Sequence, residues 1–90
     1  MTAAEDGKDI LEKLKERFRA RCHDDLAVLE QGPGSEQFGY CIHRLAGRAG
    51  TFGFDDISRS ASQIDDRLRR NDVIVPQQLN ELISLVRTIL

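Results

Sequence analysis

The sequence predicts an all-α fold, an antiparallel up-down-up-down four-helix bundle, and three observations predict it. Apolar residues recur at three- and four-residue intervals in four separate segments. Glycine and proline fall between those segments. The one β-branched run, Val73-Ile74-Val75, has no second strand to pair with. Helices that are apolar on one side only, joined by short connections, bury those sides most simply as a bundle. Ninety residues make one core, so residues 1–90 are read as one domain with a flexible stretch over 1–7, and most enzymes with a cleft of their own are excluded.

The first helix is expected from Lys8 to about Glu30, where Ile10, Leu11, Leu14, Phe18, Cys22, Leu26 and Leu29 form a stripe between charges. It ends at Gln31-Gly32-Pro33-Gly34, since glycine permits a left-handed cap and Pro33 cannot continue the ladder. Ser35 is placed to cap a second helix over about Glu36 to Thr51, with Phe38, Cys41, Ile42, Leu45, Ala49 and Phe52 at helical spacing. After Gly53, Asp55 or Asp56 caps a third helix with a narrow stripe of Ile57, Ala61, Ile64 and Leu68, and Arg67, Arg69 and Arg70 suit its C-terminal end. Asn71-Asp72 breaks that pattern, and Val73-Ile74-Val75 reads as a linker packed over the core. Pro76 opens a fourth helix whose apolar face is Leu79, Leu82, Ile83, Val86, Ile89 and Leu90.

Thirteen Lys and Arg against fifteen Asp and Glu leave a formal charge of −2 with the signs interleaved, so no basic footprint marks nucleic acid or an anionic membrane as a partner. Cys22 and Cys41 fall on apolar faces outside any metal-ligand spacing, and no disulfide framework is indicated. Met1 to Asp6 lacks the layout of a signal peptide, and no apolar run approaches the roughly 20 residues of a membrane span. The simplest address is the cytoplasm.

The informative stretch is Gly39 to Gly53. Glycines at 39, 47 and 50 each cost a helix on the order of 1 kcal/mol relative to alanine. On a projection of about 100° per residue with Phe38 at zero, the apolar stripe spans roughly 300° through 40° and His43 falls near 140°. Gly39, Ala46, Gly47 and Gly50 lie at about 100°, 80°, 180° and 120°, so the imidazole stands on a face whose neighbours have been cut back. A lone outward histidine is ordinarily just solvent-facing. One ringed by glycines on an exposed face suits an approaching partner, because no neighbouring helix there needs the room.

These residues resemble the histidine-containing phosphotransfer (HPt) domains of multistep two-component signalling. The family pattern has an aliphatic residue two after the histidine, glycine four after, a small residue six after, a large apolar residue nine after and glycine ten after. Here those are His43, Leu45, Gly47, Ala49, Phe52 and Gly53, with Ile57 and Ile64 fitting on the next helix. The resemblance covers roughly Phe38 to Arg69. It implies a phosphoryl carrier rather than an enzyme: His43 accepts a phosphoryl group from a receiver-domain aspartate and passes it to another receiver. The partners it implies are response-regulator receiver domains, with a hybrid histidine kinase as a further candidate, and no nucleic acid or membrane. The chain is expected to act as a monomer and to bind no cofactor, with Mg²⁺ residing in the receiver.

Two positions depart from the pattern. Ala46 stands where the family commonly has a basic residue three after the histidine, and Asp65 stands where it often has Gln or Glu 22 residues after. Asp65 is thus the expected imidazole orienter, by a bond that is direct, runs through water or is absent. Arg69, one turn further, is assigned a phosphate or ion-pair role. The docking face is expected to comprise Gly39, Tyr40, Arg44, Ala46, Gly47, Arg48 and Gly50, with Arg44 and Arg48 reaching a partner's acidic rim by bending round the helix.

His23 lacks a cleared surround and reads as surface filler. No carboxylate pairs at metal-binding offsets accompany the histidines, and no nucleotide-type phosphate loop is present. Two rival functions remain. One is a helical adaptor that binds a receiver or kinase without accepting phosphate, and the other is a plain dimerisation bundle.

Overall fold

The computed structural model describes residues 3–90 and consists of four helices, α1 (Ala3–Gln31), α2 (Phe38–Thr51), α3 (Asp55–Arg69) and α4 (Pro76–Thr88). Each packs on the next around a ring, with α1 touching α2 and α4, α3 touching α2 and α4, and the most extensive interface between α2 and α3. No strand occurs among the described residues, and Val73 to Val75 is a linker as expected, tied back by Arg67 Nη1 donating to the Val73 carbonyl at 3.2 Å, but only Ile74 packs against the core and Val73 is exposed.

The periodic apolar positions form the core. Cys22 and Leu29 of α1, Phe38, Ile42 and Leu45 of α2, Ile64 of α3, and Leu82 and Val86 of α4 are fully enclosed. Burying each large side chain contributes roughly 1.5–3 kcal/mol. The stripe of α1 is not wholly used, however. At about 1.5 Å per residue its 29 residues extend about 44 Å, twice the reach of the 13 to 15 residues of the other helices. Its N-terminal half therefore projects past the bundle, giving a molecule of 52 × 21 × 20 Å and leaving Ile10, Leu11 and Leu14 exposed. The helix also starts at Ala3 rather than Lys8, so of the stretch expected to be flexible Ala3 to Gly7 is helical, and Met1 and Thr2 lie outside the described residues.

The starts of α1, α2 and α3 differ from expectation, whereas α4 opens at Pro76 as expected and the stops of α1, α2 and α3 agree. Ser35 does not cap α2: its Oγ accepts from Gln37 N at 3.3 Å in the preceding turn, and Gln37 occupies the cap position with no side-chain bond. Asp55 and Asp56 lie inside the first turn of α3, where their charge favours the helix dipole, with Phe54 at the cap. At the end of α2, Gly53 takes a φ of +85°, Phe54 N donates to Ala49 O at 2.9 Å and Gly53 N to Gly50 O at 3.2 Å. That six-to-one and five-to-two pairing closes a helix with a left-handed residue, which explains a glycine here. Asn71, at φ 57°, performs the same closure for α3.

Candidate functional site

The middle of α2 is anchored by Cys41, Ile42 and Leu45 in the core, and this fixes the outward direction of the residues between them. His43 projects from that side with its side chain 66% exposed. Its Nδ1 lies 3.3 Å from Oδ2 of Asp65 on α3, a direct contact. Asp65 is only 8% exposed, so its carboxylate is held by the bundle, not waving in solvent. Arg69, one turn along α3, places Nη2 2.9 Å from the same Oδ2 and 3.5 Å from His43 Nδ1. Arginine has donors only, so with Nδ1 protonated both groups donate to Asp65 and the short Arg69 to His43 approach is not itself a hydrogen bond. This tautomer leaves a lone pair on Nε2 of a side chain that is mostly exposed.

The face around the ring is open. A Cβ added at Gly39 or Gly47 would meet nothing within 4 Å, so no contact inside the chain requires glycine at either position. Tyr40 is 68% exposed beside them. Ala46 sits half-buried at the edge, its carbonyl accepting a 2.6 Å bond from Ser58 Oγ of α3.

Two residues expected on the docking face lie elsewhere. Arg44 does not bend round the helix towards a partner; its guanidinium donates to the carboxylate of Asp25, a residue only 3% exposed on α1, and it stacks over the Tyr40 ring at 5.3 Å. Burial, and the neighbouring positive charges of Arg21 and Arg48, lower its pKa. Gly50 is half-buried against α3, where an added Cβ would come within 3.2 Å of Ser58 Oγ, so its smallness serves helix packing. Arg48 is exposed, on the side of α2 that faces α1.

Asp25, Ser58, Arg17 and Arg21 were not singled out from the sequence. Asp25 was findable, since the spacing Phe18, Cys22, Asp25, Leu29 puts it on the buried stripe of α1 where an apolar residue is the rule. Cys22 and Cys41 are free and buried, and burial pushes both thiols up to about 11. Among the described residues no three His, Cys, Asp or Glu side chains gather as a metal-ligand set, and no helix is long and apolar enough to cross a membrane. His23 is exposed on α1.

A comparison with protein-family models matches the Hpt domain over residues 13–89. The chain belongs to the Hpt domain family. Searches of curated proteins and of solved structures found no match. Hpt domains are the histidine phosphotransfer modules of two-component phosphorelays, phosphocarriers that work with receiver domains. The match takes in α2, α3, α4 and α1 from Lys13 onward, and leaves the projecting start of α1 and Leu90 outside.

Proposed function

We propose that His43 is the phosphoacceptor of this Hpt domain, taking a phosphoryl group from the aspartate of one receiver domain and giving it to the aspartate of another. The observation that carries this reading is an exposed imidazole whose Nδ1 rests on a bundle-held carboxylate while glycines leave the space beside it open. The Nε2 lone pair attacks phosphorus, the N–P bond forms, and the P–O bond to the receiver aspartate breaks, releasing a carboxylate. The ring then carries positive charge with its proton on Nδ1, and Asp65 stabilises that charge at close range. Arg69 holds Asp65 in place through the 2.9 Å contact.

The remaining requirements are positioning and charge on the transferring group, which the proposal assigns to the receiver and its Mg²⁺. The docking face comprises Gly39, Tyr40, Ala46 and Gly47, with Arg48 at its margin. The same proposal has the chain working as a monomer in the cytoplasm, with a hybrid histidine kinase as one source of the phosphoryl group. The absence of a basic residue at Ala46 favours the adaptor reading, in which a receiver binds without transfer; Arg69, 3.5 Å from the ring, supplies a cation from α3 instead.

The test is incubation with a receiver domain phosphorylated by acetyl phosphate. The native chain should acquire an acid-labile, base-stable phosphoryl group, and His43→Gln should acquire none. Binding without labelling of the native chain supports the adaptor, and equal labelling of His43→Gln refutes the assignment.

A further inference from the structure

Between α1 and α2 runs a groove whose composition contrasts with the chain's overall charge of −2. A cavity of about 370 Å³ is lined by Leu14, Phe18 and Phe52 as an apolar floor and by Arg17, Arg21, Arg44 and Arg48 at its walls, with Asp25 as the lone acid. It continues past Arg21 and Arg44 into a second hollow of about 310 Å³ that reaches Val28, Asp24 and Tyr40. Four arginines face one aspartate in the first cavity, and that aspartate is already consumed by Arg44. Arg17, Arg21 and Arg48 have no carboxylate within ion-pair distance among the described residues and are exposed.

Two arginines one turn apart on α1 and two on α2, lining the same cavity as Phe18 and Phe52, make a surface for a partner that is acidic and apolar at once. Like charges this close are unfavourable unless an opposite charge arrives. A helix with leucine-type residues on one side and carboxylates flanking them satisfies both the floor and the walls. On the α2 projection Arg48 lies about 140° round from His43, so a partner that straddles the exposed ridge of Tyr40 and Gly47 meets the imidazole and the groove together.

We propose that this groove docks an acidic amphipathic helix of the receiver domain that exchanges phosphate with His43, making Arg17, Arg21 and Arg48 the residues by which the chain selects that receiver. The proposal rests on the phosphotransfer reading above. It adds a second contact area, on α1, that the histidine motif does not contain.

The experiment pairs Arg17→Glu/Arg21→Glu with two probes, after circular dichroism confirms the native fold. The first probe is a 14-residue helical peptide with leucine at every third or fourth position and glutamate elsewhere, set against the same peptide with lysine for glutamate. The native chain should bind the glutamate peptide alone, more weakly as salt rises, and the double variant should lose it. Equal binding of both peptides, binding of neither, or an unchanged double variant overturns the proposal.

The second probe is a receiver domain charged with acetyl phosphate. The double variant should raise KM for transfer to His43 about 10-fold and keep the saturating rate, because rim charges act on encounter. Transfer with an unchanged KM overturns the groove and leaves the phosphotransfer reading intact. A native chain that binds the glutamate peptide yet takes no phosphate from any receiver overturns the phosphotransfer reading, and the identity of the occupant with it.

Discussion

Nδ1 of His43 lies 3.3 Å from Oδ2 of Asp65, and among the described residues no hydrogen bond engages Nε2. In the proposed phosphotransfer the two nitrogens of one ring have separate tasks, and the carboxylate is what separates them. Asp65→Asn keeps an acceptor and removes the charge, so transfer to His43 should slow roughly 10-fold. Imidazole ¹⁵N shifts in Asp65→Leu should show a mixture of tautomers where the native chain shows Nδ1–H; an unchanged spectrum would remove Asp65 from the positioning role. His43 was legible in the sequence because the residues around it were cut back to glycine and alanine. Asp65 was legible only through the family resemblance, since an aspartate on the side of a helix carries no sign of what stands 22 residues earlier.

Two other residues at this scale respond to pH. Cys22 and Cys41 ionise near 11 in the folded chain and near 9.0 when exposed. Between those values the unfolded chain has released protons that the folded chain still holds, so stability falls as pH rises through this window and is fully present below pH 9. Urea midpoints should therefore drop between pH 9 and 11 in the native chain and less so in Cys22→Ala/Cys41→Ala. A parallel fall in both would contradict the burial argument. At pH 8 both thiols should resist iodoacetamide until the chain unfolds.

For the helices, register and length decide what each side chain can reach. The three- and four-residue spacing located all four helices and nearly all of the enclosed core, because burying those positions is what holds them helical. For α1, α2 and α3 the stops are more legible than the starts, while α4 begins at Pro76, where a fixed φ suits a first turn. Gly32, Gly53 and Asn71 end helices through a φ that few residues adopt, whereas a first turn begins wherever packing allows it. Periodicity could not reveal that α1 outruns its neighbours, because a stripe looks the same whether another helix covers it or not.

The Asp25 to Arg44 pair belongs to this scale, since it joins α1 to α2 across the core edge. Opposite charges on separate helices carry no signature in one sequence, which is why Arg44 was expected on the docking face. Asp25→Ala leaves a largely enclosed guanidinium without its partner and should cost about 3 kcal/mol in urea unfolding. Replacing both residues together with Leu and Met should recover most of that loss; a single variant as stable as the native chain would show that the pair does not hold the helices.

Across the whole molecule, ninety residues provide a rigid ridge with an imidazole in its middle and clear ground on either side. Gly47 sits on that ground, where an added Cβ would meet nothing within 4 Å, so Gly47→Gln should fold with a melting temperature close to native and block transfer by obstructing the receiver. An unaltered transfer rate would mean the partner does not approach this face. Along the chain the signs of charge are interleaved and sum to −2, which marks no basic footprint. The fold instead collects arginines from two helices into one groove, a distribution that a count of charges along the chain cannot show.

The measurement that tests the central claim most directly is ³¹P NMR, with tandem mass spectrometry, of the native chain after reaction with a phosphorylated receiver. The account predicts one phosphohistidine, at His43, with phosphorus on Nε2 because Asp65 occupies Nδ1. Phosphate on His23, phosphate on Nδ1 of His43, or no phosphohistidine while the receiver loses its label to water would contradict it.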